Sequence, residues 1–158
     1  MSEEVKKRRR PNLRFTESEM KLVVSIMENM EKSLELMYHF LEKDPKKTFV
    51  MILVSANDAN VEEVLIQEKR DTDLLFCIDE DKNLFSLICQ ETKVDGGYRF
   101  AERILGTLKR KEAKDIYCIE IEVRNTKYSV KDFILRSAEK YIMAEKEKRE
   151  SEIHFHTF

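Results

Sequence analysis

From Thr48 to Val54 the chain reads T-F-V-M-I-L-V, seven residues with apolar or β-branched side chains and no polar alternation. Successive side chains of a strand point to opposite faces, so an unbroken apolar run of this length demands cover on both sides. Short runs of this kind fit a central strand, and a central strand requires neighbours to pair with and helices to bury it. Everything else in the sequence has to supply those partners.

The following segments do so in alternation. Asn60 with Glu63 opens a short helix whose Val61, Val64 and Leu65 share a face. Leu74–Ile78 and Leu84–Gln90 are expected to form a hairpin around a charged turn. Asp95 begins the next helix, with Phe100, Ala101, Ile104, Leu105 and Leu108 at helical spacing. Tyr117, Ile119, Ile121 and Val123 then alternate with Cys118, Glu120 and Glu122, which predicts a half-exposed strand. Ser129 and Asp132 open a last helix carrying Val130, Phe133, Ile134, Ala138, Tyr141 and Ile142. The order β-α-β-β-α-β-α is the split β-α-β arrangement, so an α+β, ferredoxin-like or palm-like fold with an antiparallel sheet is expected. Two helices should cover one face of that sheet, and an added N-terminal helix the other face or an edge.

That added helix has its own start signal. Thr16 and Glu19 form a T-x-x-E capping box, in which each side chain satisfies the other residue's free N–H. Met20, Val23, Met27, Met30, Leu34, Met37 and Leu41 follow at steps of three and four on one seam, up to Asp44-Pro45. Leu22, Ile26, Leu36 and Phe40 widen the apolar surface. The seam has two readings, a dimer interface or packing against the chain's own sheet, and the first is preferred here. The expected organisation is a basic tail over 1–15, this helix over 16–44, the sheet domain over 45–150, and a C-terminal tail or short strand over 151–158.

Between Arg70 and Ile104 several short motifs occur in a recognisable order: Arg70-x-x-Asp73, a strand, a turn, Phe85, Glu91-Thr92, and Ala101-Glu102-Arg103-Ile104. This resembles the GGDEF, or diguanylate cyclase, family, which carries R-x-x-D, the G-G-D/E-E-F hairpin, a strand ending near P-E-T and a helix with A-E-R-I. Leu135-Arg136-Ser137-Ala138-Glu139 is similar to the family's L-x-R-A-D ending, shifted by one residue. The resemblance covers about half of the chain and implies the same palm-like sheet. Its turn, however, is Asp79-Glu80-Asp81-Lys82-Asn83-Leu84-Phe85, two residues longer than the family's and without glycine.

The resemblance implies a lost chemistry. Cyclase activity needs carboxylates that hold a metal pair while a 3′-hydroxyl attacks an α-phosphate. Where the family closes its first strand with an aspartate, this chain has Val54-Ser55-Ala56, with Asn57 and Asp58 too late. No catalytic residue, metal ligand set or cofactor is therefore expected. Arg70 and Asp73, by contrast, match the inhibitory site with which family members bind cyclic di-GMP. An arginine fork recognises phosphate or a guanine edge, and a carboxylate accepts from guanine N–H groups.

Composition narrows the alternatives. Charged residues make up 38% of the 158 positions, but the net charge is only −2, so overall charge selects no class of partner. Lys6, Lys7, Arg8, Arg9, Arg10 and Arg14 are read as a solvated tail, not a nucleic-acid site, since no aromatic platform accompanies them. No apolar run reaches membrane-span length, and a cytoplasmic protein is expected. Cys77, Cys89 and Cys118 lie in strand-like segments without ligand spacing and are read as buried, reduced thiols. His154 and His156 alternate near the end without a further ligand, His39 sits in the first helix, and Gly96-Gly97 eases a helix start.

Three functions remain in order of preference. The first is a non-enzymatic signalling or regulatory module acting through protein contacts or self-association. The second is a cyclic di-GMP receptor using Arg70 and Asp73. The third is a weak nucleotide-processing enzyme using Asp79, Glu80 or Asp81.

Overall fold

The computed structural model describes residues 14–158. The expected basic tail, apart from Arg14 and Phe15, lies outside the described residues. The elements run α1 (Glu17–Lys43), β1 (Phe49–Asn57), α2 (Val61–Glu68), β2 (Leu74–Asp79), β3 (Leu84–Gln90), α3 (Val94–Arg110), β4 (Lys114–Val123), α4 (Val130–Lys146) and β5 (Ile153–Thr157). The five strands form one sheet in the order β2-β3-β1-β4-β5. This is the α+β fold expected, with the N-terminal helix preceding the sheet.

The Thr48–Val54 run lies at the centre of the sheet. β1 pairs antiparallel with β3 on one side, Ile52 opposite Leu87, and with β4 on the other, Ile52 opposite Glu120. Its side chains divide by alternation: Phe49, Met51 and Leu53 join the core under α1 and α4, while Val50, Ile52 and Val54 join the core under α2 and α3. Every residue from Phe49 to Val54 is fully buried. At about 1.5–3 kcal/mol for each large aliphatic side chain removed from water, this strand anchors both layers.

The sheet is mixed, where an antiparallel one was expected. β5 pairs parallel to β4, Glu120 opposite Phe155, because α4 carries the chain back across the sheet before the last strand begins. The 151–158 segment is thus a strand in its larger part. Among the described residues β2 stays at the opposite edge, paired with β3 alone.

Helix α1 packs on its own domain. Its capping box forms as the sequence indicates, Thr16 N–H to Glu19 Oε1 at 2.9 Å and Glu19 N–H to Thr16 Oγ1 at 3.2 Å. Val23, Met30, Leu34, Met37 and Leu41 of the seam are buried in the core with α4 and the sheet, and Met27 packs partly buried against it. Met20 alone of the seam is exposed, at 47%. A two-helix seam would need those side chains on a free surface, so the residues proposed for dimerisation are consumed inside the chain. Lys146 Nζ reaches Glu19 Oε2 at 3.0 Å and ties the end of α4 to the start of α1.

Two further expectations change. The β4 acids do not face water: Glu120 and Glu122 are 0% and 3% exposed, because α3 covers the face that alternation assigned to solvent and β5 extends the sheet beside them. Cys77 is exposed at the β2 edge, while Cys89 and Cys118 are buried. Burial pushes the Cys118 thiol up to about 12, and the Cys89 thiol also upward, so both stay protonated at neutral pH.

Candidate functional site

The start of β2 is built around one buried carboxylate. Asp73 is only 2% exposed. Its Oδ2 accepts from the Arg70 backbone N–H at 2.8 Å, and its Oδ1 from Arg70 Nη2 at 2.8 Å and Nε at 3.1 Å. Asp73 N–H in turn donates to the Arg70 carbonyl at 3.1 Å, closing a tight turn. A carboxylate removed from water is stable only when paired and hydrogen-bonded, and here a single residue supplies both.

This pairing fixes the arginine. Arg70 Nη2 also donates to the Gln90 carbonyl at 3.2 Å and to Thr92 Oγ1 at 2.9 Å, so the guanidinium is tied to the end of β3. Hydrogen bonding to Asp73 raises its pKa further above the ordinary arginine value. The side chain nonetheless remains 54% exposed. It is a pre-oriented cation at the surface, which lowers the cost of ordering it around a ligand.

Opposite Arg70 stands the first part of α3. A cavity of about 180 Å³ is lined by Arg70, Asp73, Thr92, Gly96, Phe100 and Arg103. Arg103 lies over the Phe100 ring at 5.1 Å and pairs with Glu68 at 3.6 Å, so its charge is also held in place. A Cβ added at Gly96 would meet nothing closer than Thr92 Cγ2 at 3.4 Å, an ordinary contact, so this wall of the cavity does not depend on glycine. Two guanidinium groups and the N-terminal turn of a 17-residue helix share this cavity, a set that favours an anion, while the Thr92 hydroxyl spends its proton on the Gln90 carbonyl. Asp73, expected as a ligand contact, is enclosed by Arg70 instead. It positions the arginine.

On the other side of the α3 start lies a second acidic cluster. Glu122 Oε2 accepts from Val94 N–H at 2.8 Å and Glu122 Oε1 from Thr157 Oγ1 at 3.2 Å, doing the work of a helix cap, since the N-cap residue Lys93 makes no side-chain cap. Among the described residues Glu120 has no hydrogen-bond partner for either oxygen. Burial first, then Glu122 and Asp95, push its carboxyl up to about 7. A Cβ on Gly97 would lie 2.2 Å from Glu120 Oε2, so this glycine exists to admit the carboxyl beneath the helix.

The turn suggested for nucleotide chemistry is organised for support. Asn83, at φ 55°, donates through Nδ2 to the carbonyls of Ala56 at 2.9 Å and Ala59 at 2.7 Å, locking the hairpin to the end of β1. Asp79 Oδ1 accepts from Lys82 N–H at 3.2 Å, and Glu80 and Asp81 point to solvent. Ser55, where the resemblance calls for an aspartate, bonds Tyr141 Oη at 2.7 Å on the α4 side of the sheet. Among the described residues no three His, Cys, Asp or Glu side chains converge as a metal site. His154 Nε2 contacts the Arg149 carbonyl at 3.0 Å, and His39 is exposed. Among the described residues no helix is long and apolar enough to cross a membrane.

Sequence reasoning found Arg70 and Asp73 but assigned no role to Thr92 and Arg103. Both stand inside the E-T and A-E-R-I stretches already singled out, so the signal was present without its meaning. Glu120 offered no signal, since its alternation pattern is that of a surface residue. Neither the family models nor the curated proteins contain a match to this chain.

Proposed function

We propose that the chain is a non-catalytic, GGDEF-like regulatory module that responds to a phosphate-bearing ligand at the Arg70–Arg103 cavity, with cyclic di-GMP the ligand whose chemistry fits first. The observation that carries this reading is the state of Arg70: anchored by Asp73, Gln90 and Thr92, yet half exposed and facing a second arginine. A cyclic dinucleotide offers phosphates to the two guanidinium groups and a purine face to stack on one of them. The Ser55 and Asn83 contacts support the absence of turnover, because they occupy the positions where carboxylates and glycines would serve a cyclase. A cytoplasmic location belongs to the same reading and accords with three free thiols.

Titration calorimetry with cyclic di-GMP, GTP and inorganic phosphate, each with and without magnesium, tests the proposal. Saturable, magnesium-independent binding of cyclic di-GMP with no product from GTP is the expected result. Binding of GTP alone, with conversion that depends on magnesium and on Asp79 or Asp81, would replace it with the enzymatic reading. A module acting by protein contact alone gives no heat with any of the three. That second reading has its own support in a cavity of about 710 Å³ beside α4, where Leu135 and Met143 are exposed near Phe15.

A further inference from the structure

A site that tells guanine from adenine has to meet the edges of the base. On one edge guanine presents N1–H and N2–H, which call for two adjacent acceptors. On the other it presents O6 and N7, which call for two donors, where adenine puts an amino group in place of O6.

The acceptors of the Arg70 cavity are occupied. An ionised carboxylate accepts at about four sites, and one residue fills those of Asp73. Arg70 N–H and Nε reach Oδ2 at 2.8 and 3.3 Å, and Nη2 and Nε reach Oδ1 at 2.8 and 3.1 Å. The Gln90 carbonyl takes Arg70 Nη2 at 3.2 Å and the Thr92 hydroxyl at 2.9 Å. Thr92 Oγ1 donates in that bond and accepts from Arg70 Nη2 at 2.9 Å, which leaves it a single lone pair. Cys89, also in the wall, is 1% exposed, and burial raises its pKa so that the thiol keeps its proton. Among the described residues, no side chain of the cavity offers two adjacent free acceptors.

The free donors suit phosphate. Arg70 commits Nε and Nη2 to the contacts above and keeps Nη1, one amine where O6 and N7 together need two. Arg103 turns Nε to Glu68 at 3.6 Å, and among the described residues its two terminal amines have no partner. Such a fork fits a phosphate or a guanine edge, but phosphate brings the opposite charge and takes it ahead of a neutral base. The cavity, about 180 Å³, is also smaller than the roughly 300–1,000 Å³ of sites that enclose a drug-sized ligand, so the charged group enters and the bases stay at the mouth. There the half-exposed Arg103 guanidinium, one face on the Phe100 ring at 5.1 Å, gives a purine a surface to stack on. Stacking is indifferent to the identity of the base, since every base has a π face.

We infer that the cavity selects the phosphates of a cyclic dinucleotide and is blind to which purine it carries, so that cyclic di-GMP and cyclic di-AMP are equivalent ligands. This rests on the reading of the cavity as an anion site and narrows it. Asp73, the acid placed to identify guanine, is fully engaged in holding Arg70.

Competition calorimetry on the full chain with cyclic di-GMP, cyclic di-AMP and inorganic phosphate tests it. The two dinucleotides should bind within about threefold of each other, where one two-point base contact would separate them by about 5–150-fold. Inorganic phosphate should displace both. Asp73→Asn should weaken both by the same factor, because the acid acts through Arg70, and the ratio in the parent decides even if that variant does not fold. A preference of about tenfold or more for either dinucleotide, the mark of a base contact, overturns the inference and leaves the receptor reading standing. So does a loss on Asp73→Asn confined to cyclic di-GMP, or a bound dinucleotide that phosphate does not displace. A parent that binds neither dinucleotide overturns the inference and the receptor reading together.

Discussion

The two sides of the α3 start hold buried carboxylates in opposite conditions. On one side Asp73 accepts from Arg70 through both oxygens, and on the other Glu120 accepts from none of the described residues. The paired acid leaves a cation poised at the surface beside a cavity, whereas the unpaired one is sealed beneath Gly97 with its pKa pushed up to about 7. Burial alone therefore does not mark a functional acid. What distinguishes the Arg70 side is that satisfying the carboxylate creates an oriented, accessible charge.

The comparison is broken most severely by filling the sealed side. Gly97→Ala would place a methyl group against Glu120 Oε2 at 2.2 Å and Val50 Cγ1 at 2.9 Å, and we expect a loss of about 3 kcal/mol in denaturant unfolding. The adjacent Gly96→Ala meets only Thr92 Cγ2 at 3.4 Å and should leave stability within about 1 kcal/mol, favoured by helix propensity. Equal effects at the two glycines would show that Glu120 does not lie where it is described.

Next comes the raised pKa of Glu120. The folded carboxyl of Glu120 titrates at about 7 against an ordinary value of 4.5, so the folded state binds a proton that the unfolded state releases between those values. Its contribution to stability is full below about pH 4.5, declines as pH rises towards 7, and is lost above it. The difference corresponds to about 3 kcal/mol at most. Glu120→Gln should remove this part of the pH dependence and leave the protein more stable than the parent at pH 8. An unchanged difference between pH 5 and pH 8 would contradict the burial of that group as a neutral acid.

On the open side the effect on stability is smaller. Arg70→Ala strands Asp73 without its guanidinium partner but keeps the backbone N–H donor, and a loss of about 2 kcal/mol is expected. Arg103→Ala, at a half-exposed pair with Glu68, should cost under about 1 kcal/mol. If both changes were neutral to stability, the anchoring of Arg70 would be weaker than its hydrogen bonds imply.

Much of the fold was legible because its signals are local. The Thr48–Val54 run, the Thr16–Glu19 box and the caps at Asn60 and Ser129 each define an element without reference to distant parts of the chain, and each forms. The failures are all non-local. Alternation in β4 cannot reveal that the start of α3 will close over Glu120 and Glu122, since that depends on a helix some twenty residues earlier packing across the strand. The α1 seam is equally compatible with a partner helix and with a sheet, and only the sheet's second apolar face, Phe49, Met51 and Leu53, decides between them. At the site, spacing gave Arg70 and Asp73, while Thr92 and Arg103 joined them through the β3–α3 connection. Their convergence is a property of the fold.

The central claim is that Arg70 is a ligand-binding cation held in place by Asp73. It is tested most directly by the ratio of cyclic di-GMP affinities of the full chain and its Arg70→Ala variant, measured by calorimetry on samples shown to be folded. Removing a charge-assisted contact should weaken binding by at least about tenfold, equivalent to 1.4 kcal/mol or more. A folded Arg70→Ala variant that binds as tightly as the parent, or a parent that does not bind at all, would contradict the account.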